Sequence, residues 1–392
     1  MAFPLRWLLI CIAWLLAGAL YLRPPVISPS GDFAEAPSAV TSGQGAPAFQ
    51  KTIVNPDQGL PMVHVASLAT MSGGMEAAVW YGGSAECAPD VKIYLSESEH
   101  GEQWSSPRVI MTRERAEHDL GRPLQSVGNA ILISESQGEL RLVFVTIAMG
   151  RWSGSQLNTS ISKNGGITWS PAERMTLSPF FNLSELVRNR AVSLVSGGWC
   201  VPIYQEFLGK FPELLWLNEN HGHLEYRKSR IAGGCFTFQP SLVPLDAKSA
   251  LVFLRDYTDN RRVFLGRSDD GGRIWSKPAP TQLPNPDSGI SGLKLNDGKL
   301  LLAYNDSTSC RDNLALAISN DQGATWKKLV TLEQETGSTF SYPFLSRSSD
   351  GSIDLAYTRK KKEIALTRFN DAWIAEALAA LSRVEGGGGN HP

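Results

Sequence analysis

Charged and aromatic residues gather at one kind of place in this chain, the far end of an apolar run. They stand in Tyr81-Gly-Gly-Ser-Ala-Glu86, in Tyr204-Gln-Glu206, in Arg255-Asp256, and in Tyr304-Asn305-Asp306 leading on to Arg311. Arg255 carries the strongest implication, because it closes the run Ala250-Leu-Val-Phe-Leu254. A guanidinium delivered to the end of an apolar strand is costly unless paired, so it meets either a neighbouring acid of the protein or an anionic ligand. Arginines, phenols and carboxylates at such points can hold an anion and move a proton beside it.

The points are equivalent because the chain repeats. Ser162-Lys-Asn-Gly-Gly-Ile-Thr-Trp169, Ser268-Asp-Asp-Gly-Gly-Arg-Ile-Trp275 and Ser319-Asn-Asp-Gln-Gly-Ala-Thr-Trp326 share Ser, Asp or Asn, Gly and Trp at the first, third, fifth and eighth places. Trp275 and Trp326 are 51 residues apart and Trp169 and Trp275 are 106 apart, so a copy is missing between the first two; Asn218-Glu-Asn220-His-Gly222 sits where it would fall. The pattern reads as a tight turn, in which Asp or Asn bonds local amides and Trp packs beneath, rather than as chemistry. A second periodicity agrees. Turns flanked by β-rich apolar runs fall at Gly73-Gly74, Gln137-Gly138, Gly197-Gly198, Ala247-Lys248, Asp297-Gly298 and Asp350-Gly351, and the last residues around Asp297-Gly298 alternate as a hairpin does. Units of about 50 residues and about four strands predict an all-β fold, a six-bladed β-propeller with Asp-box repeats. In such a ring the ligand site is expected at one end of the central channel.

With 392 residues, 42% of them apolar, the chain can bury one large core, and the propeller is expected over residues 51–370. A net charge of −1 with scattered lysines and arginines argues against a nucleic-acid partner. Trp7–Leu22 is uninterrupted and apolar between Arg6 and Arg23, so residues 1–23 read as a signal peptide or, preferably, an uncleaved signal-anchor. That places the propeller outside the membrane, facing periplasm or cell exterior, or secreted if the signal is cleaved. Residues 24–50, rich in Pro, Ser, Gly and Ala, read as a flexible linker, and 371–392 as a short amphipathic helix with a loose tail. Cys87, Cys200, Cys235 and Cys310 allow disulfides in an exported domain, with no pairing assignable, and no spacing resembles a metal site. No cofactor is expected.

From about Pro61 to Phe369 the chain resembles the exo-sialidase (neuraminidase) superfamily, six-bladed propellers with Asp-box (BNR) repeats, and within it the divergent bacterial branch of predicted sialidases. The resemblance implies a triad of arginines that clamps a sugar carboxylate, a first-blade acid that acts as general acid/base, and a tyrosine, activated by a glutamate, that attacks the anomeric carbon. Carried over by position, the clamp falls on Arg255 and Arg311, the tyrosine on Tyr342 in Phe340-Ser-Tyr-Pro-Phe-Leu345, and the acid on Glu86, upstream of Asp90-Val-Lys-Ile-Tyr-Leu95. Two parts of the pattern are replaced. Pro61-Met-Val-His-Val-Ala-Ser67 carries His64 where the first arginine belongs, and Thr237-Phe-Gln-Pro240 carries no acid, only Gln239, where the activating glutamate belongs. Glu206 from the preceding repeat is the candidate substitute. His64, Asp90, Tyr204, Gln239 and Asn305 complete the expected substrate-binding set.

The retained set is chemically coherent. A sugar whose anomeric carbon bears a carboxylate repels a carboxylate nucleophile, so a neutral phenol is preferred. Tyr342 then needs a base or a cationic field, and Glu86 needs a raised pKa to protonate the leaving oxygen. The expected activity is an exported glycoside hydrolase removing sialic acid or a related ulosonic or uronic acid from a glycan. The rivals are a polysaccharide lyase in which Tyr342 or His64 takes a proton beside a uronate carboxylate, and a glycan-binding propeller without turnover.

Overall fold

The computed structural model describes residues 5–22, 29–34, 45–56, 59–135, 138–178, 182–220, 223–231 and 236–387. Gln137, the pair His221-Gly222, Cys235, much of the expected linker and the last five residues lie outside the described residues.

Six antiparallel sheets follow one another along the chain. Their innermost strands begin at Met62, Ser126, Leu186, Thr237, Ser291 and Phe340, and each is followed by a hairpin at one of the six turns expected from the sequence. Blades 1 to 5 therefore run outward in chain order, and apolar clusters fill the spaces between neighbours, such as Leu142, Phe144 and Trp169 facing Ile93 and Leu95 of blade 1. Blade 6 is different. Its three strands Phe340–Arg347, Ile353–Arg359 and Glu363–Phe369 take their outermost partner from the start of the chain, Phe49–Ile53, in the register Phe49↔Phe369 to Ile53↔Ala365. This closes the ring by hydrogen bonding rather than by packing alone.

The three Asp-box copies form the turn between third and fourth strands. In blade 4, Asp270 Oδ1 accepts from Ser268 Oγ and from the Ile274 amide, both at 2.9 Å, while Trp275 Nε1 donates to the Gly272 carbonyl at 3.0 Å. Gly272 has φ +79°, a left-handed conformation that disfavours a Cβ, so the glycine of the motif is a backbone requirement. Blade 1 holds an eroded copy that the spacing did not reveal. Gly101, φ +71°, precedes Trp104 by the motif's three places, but Glu97 and Glu99 replace Ser and Asp, and the Trp104 indole N–H is buried without an acceptor. Blade 3 turns between Asn220 and His223, and blade 6 has no room for the motif because its fourth strand arrives from elsewhere.

Part of the expected linker is built into the ring. Phe33, the one aromatic between Arg23 and Ala48, is fully buried, stacks on Trp216 at 6.2 Å and pairs with Leu194, while the Ala34 amide bonds to Ser193. Phe33→Ala is expected to cost about 3 kcal/mol, the usual range for removing a buried phenylalanine, read as a lower urea midpoint with an unchanged slope. At the other end Asp371–Gly387 is a helix, longer than expected. Asn370 caps it at the Trp373 amide (2.9 Å) and also accepts from Ala48 (3.1 Å), so helix and closing strand are tied together. Trp373 stacks on Phe49 at 4.8 Å.

Leu5–Leu22 is also helical. Eighteen residues reach about 27 Å against a hydrocarbon core of about 30 Å. Among the described residues no helix is long and apolar enough to cross a membrane, and the anchor expectation gains no support from the structure. Cys87 and Cys200 are buried and Cys310 is exposed, all unpaired among the described residues.

The seam between blades 1 and 6 is electrostatically tuned. Glu76 of blade 1 and Asp354 of blade 6 share Arg368 and the Ser348 hydroxyl. Burial first, and the Asp354 carboxylate second, push Glu76 up to about 7 from 4.5, against the pull of Ser348 and Arg368. The folded chain thus keeps a proton that the unfolded chain has released. The stabilisation is complete below about 4.5 and is lost as pH rises through about 7. Glu185, buried in blade 3, is also raised to about 7, by burial first, and acts in the same direction. The unfolding midpoint is expected to fall between about pH 5 and about pH 8, and Glu76→Gln to flatten part of that slope; an unaltered slope in the variant would exclude the seam as its source.

Candidate active site

The site is set by a backbone irregularity repeated in three blades. The inner strands of blades 1, 4 and 6 shift register after His64, Phe238 and Ser341, and the next residues, Val65, Gln239 and Tyr342, have φ of +51°, +52° and +55°. A left-handed conformation costs a residue with a side chain of order 1 kcal/mol or more, and it is most unfavourable for β-branched Val65. Such bulges re-aim side chains. Here they bring His64, Gln239 and Tyr342 to one mouth of the channel, where the second strands deliver Tyr81, Tyr204 and Arg255.

Tyr342 is the hub. The His64 ring meets it edge-on at 4.7 Å, Arg188 Cζ lies 5.2 Å from its ring centroid and Arg311 Cζ 5.9 Å. Among the described residues its hydroxyl has no hydrogen-bond partner. Burial alone raises its pKa, but Arg255, Arg311 and Arg188 more than offset burial and the nearby Glu86, so the phenol is held below its ordinary value of 10. The cationic field expected from the sequence is present, and it comes from three arginines rather than two.

The third, Arg188, was not singled out in the sequence. It is fully buried and donates to the Pro343 and Ile290 carbonyls at 3.0 Å and to Asn189 Oδ1 at 2.9 Å. Gly289 makes room for it, since a Cβ there would stand 2.8 Å from the guanidinium carbon. Its signal was the Arg188-Asn-Arg190 string ahead of the Gly197-Gly198 turn, which assigns it to the innermost strand. Asp287, in Asn285-Pro-Asp287, was also missed. Its carboxylate accepts from Arg255 Nε at 2.7 Å and its carbonyl from Arg311, so one residue fixes both clamp arginines. Gln239 bridges onward, its oxygen accepting from Arg255 Nη1 (3.1 Å) and its amide donating to the Tyr204 hydroxyl (3.2 Å), which Asn129 also reaches. Tyr204 is thereby part of the buried floor.

His64 and Glu86 form the opposite wall. Thr358 Oγ1 accepts from the Val65 amide at 3.0 Å and lies 3.1 Å from His64 Nδ1. The hydroxyl proton is therefore assigned to Nδ1 and the ring proton to Nε2, 3.5 Å from Glu86 Oε1. Burial lowers His64 to about 3, so the ring is neutral. Glu86 is not the raised acid expected from the sequence. Burial pushes it up, but His64, the Lys361 ammonium at 2.9 Å and the Trp152 indole pull it below its ordinary value. At neutral pH it is a carboxylate.

Three expected members serve other ends. Asp90 accepts from the Ser84 amide and hydroxyl (2.9 and 2.8 Å) and staples the loop that carries Glu86. Asn305 is buried and donates to the Asn313 and Phe340 carbonyls, joining blades 5 and 6. Glu206 pairs with Lys210 at 2.8 Å and makes no contact with Tyr342, so it does not replace the missing glutamate. In each case a nearer polar group satisfies the side chain, which sequence spacing does not reveal.

The BNR repeat-like domain family matches residues 76–355. No curated protein matches the chain. Among solved structures, a Hadza microbial sialidase superposes with a TM-score of 0.68 at 19% identity, covering 81% of this chain and 68% of its own. A Dyadobacter fermentans protein of unknown function gives 0.66 at 14%, covering 82% and 99%. Trypanosoma rangeli sialidase gives 0.63 at 12%, covering 87% and 62%. At these identities the likeness concerns the fold. With a BNR match over more than half its length, the chain belongs to the BNR repeat-like domain family, and its six-bladed ring has the fold of these structures.

Proposed function

We propose that the protein is a sialidase-like glycoside hydrolase acting on a terminal acidic sugar, sialic acid or a related ulosonic or uronic acid. The observation that carries this reading is Tyr342, a phenol ringed by Arg188, Arg255 and Arg311 with its pKa lowered and no acid bonded to it. In this reading Arg255 and Arg311, fixed by Asp287, take the sugar carboxylate, and the same charges stabilise the phenolate that attacks the anomeric carbon. Glu86 starts as a carboxylate. In the first half the phenolic proton of Tyr342, released as its oxygen bonds the anomeric carbon and the glycosidic bond breaks, is relayed through Glu86 and His64 to the leaving oxygen; in the second half Glu86 takes a proton from the incoming water and returns it to the departing phenolate. A panel of aryl glycosides of acidic sugars is the direct test: release from at least one, absent with the neutral-sugar counterparts, is expected, and no release from any overturns the proposal.

The ionised state of Glu86 favours one other reading, elimination. A carboxylate and a low-pKa phenol beside paired arginines could remove the proton next to a uronate carboxylate. That route leaves an unsaturated product with its own ultraviolet band, so one assay separates the two. From the apolar segment behind Arg6 we also propose that the propeller operates outside the cytoplasmic membrane, which cleavage by protease added to intact cells would test.

A further inference from the structure

The channel has a second mouth, opposite Tyr342. A cavity of about 550 Å3 opens there, lined by the ends of the inner strands and the turns of all six blades. Its wall is largely apolar; Ala191, Trp199, Pro244 and Leu245 are partly exposed on it, whereas Leu68, Leu132, Val243 and Leu293 are buried between the blades. Three cations share this lining, Arg190, Arg347 and Lys294, against one lining carboxylate, Asp246. Asp246 is committed to its own turn, where one oxygen accepts from the Lys248 and Ser249 amides.

The cations are incompletely satisfied. Arg347 donates through Nη1 to the Gly351 carbonyl at 2.8 Å and lies 3.5 Å from Asp371, but its Nη2 is buried without an acceptor. Among the described residues Lys294 reaches only the Leu245 carbonyl. Arg190 has no hydrogen bond or ion pair among the described residues, although Arg188, two residues earlier in the same break between Leu186–Val187 and Val192–Ser193, has three acceptor groups. A half-buried guanidinium in an apolar enclosure, next to a second one, is costly unless an anion completes it. Its planar fork matches a carboxylate or sulfate.

We propose that this mouth binds an amphipathic organic anion. Its head is held by Arg190 with Lys294, and its apolar body lies against Ala191, Trp199, Pro244 and Leu245. The site is separate from the Tyr342 cluster, with which it shares no residue.

The test is calorimetric titration of the full chain with octanoate, octan-1-ol and inorganic sulfate, in the wild type, Arg190→Gln and Arg255→Ala. Octanoate is expected to bind the wild type and Arg255→Ala equally and Arg190→Gln at least about tenfold more weakly, with octanol and sulfate both weaker than octanoate. Arg190→Gln removes an unpaired charge, so it should melt no lower than the wild type without ligand, which shows that lost binding is not lost folding. Equal binding by Arg190→Gln, loss in Arg255→Ala, octanol or sulfate matching octanoate, or no binding to the wild type would each overturn the proposal.

Discussion

Tyr342→Phe is expected to lower kcat on a responsive acidic-sugar glycoside by about a thousandfold or more while leaving KM within a few-fold. The change deletes only the hydroxyl. The ring that packs on His64 and beneath Arg188 and Arg311 remains, so the mouth keeps its shape. A variant retaining more than about a tenth of wild-type kcat would show that the phenol is not the nucleophile. The same variant isolates the tyrosine's titration. Tyr342 is held below its ordinary value, whereas burial raises Tyr81 and Tyr204 beside it. The difference in phenolate absorbance between wild type and variant should therefore appear before the other tyrosines of the channel ionise. The linkage has the sign of a depressed acid: the stabilisation is full above the unfolded value of about 10 and is lost as pH falls through the lower folded value.

Arg255→Ala should reduce kcat/KM for the acidic sugar by about a hundredfold to a thousandfold. The loss has two parts, the removed contact to the ligand carboxylate and the Asp287 carboxylate left without its 2.7 Å partner. Asp287→Asn separates them. It keeps Arg255 but loosens its orientation, together with Gln239, and is expected to cost about tenfold. If Arg255→Ala and wild type turn over every acidic glycoside equally, the arginines are structural and the hydrolase reading fails with them.

The architecture was legible because its signals are local. Ser268, Asp270, Gly272 and Trp275 bond to one another within eight residues, so the motif survives in sequence as a fixed spacing, and hairpin turns such as Asp297-Gly298 are equally short-range. The eroded turn at Gly101 was not legible, since only the glycine and Trp104 remain to mark it. Phe33 lay in a segment whose composition is that of a linker, and a single aromatic carries no period.

Among the candidate residues, the sequence by itself determined which types stand at the ends of repeated strands: Arg255, Arg311, Tyr342, His64 and Glu86. Tertiary structure decided how they are wired. Arg188 joins Tyr342 from across the ring, 154 positions away in sequence, Asp287 holds both clamp arginines, Lys361 of blade 6 ionises Glu86 of blade 1, and Glu206 is taken by Lys210. The reason is physical. Ionisation and pairing depend on charges within a few ångströms, and ring closure through Phe49–Ile53 sets those neighbours by bringing the two ends of the chain together.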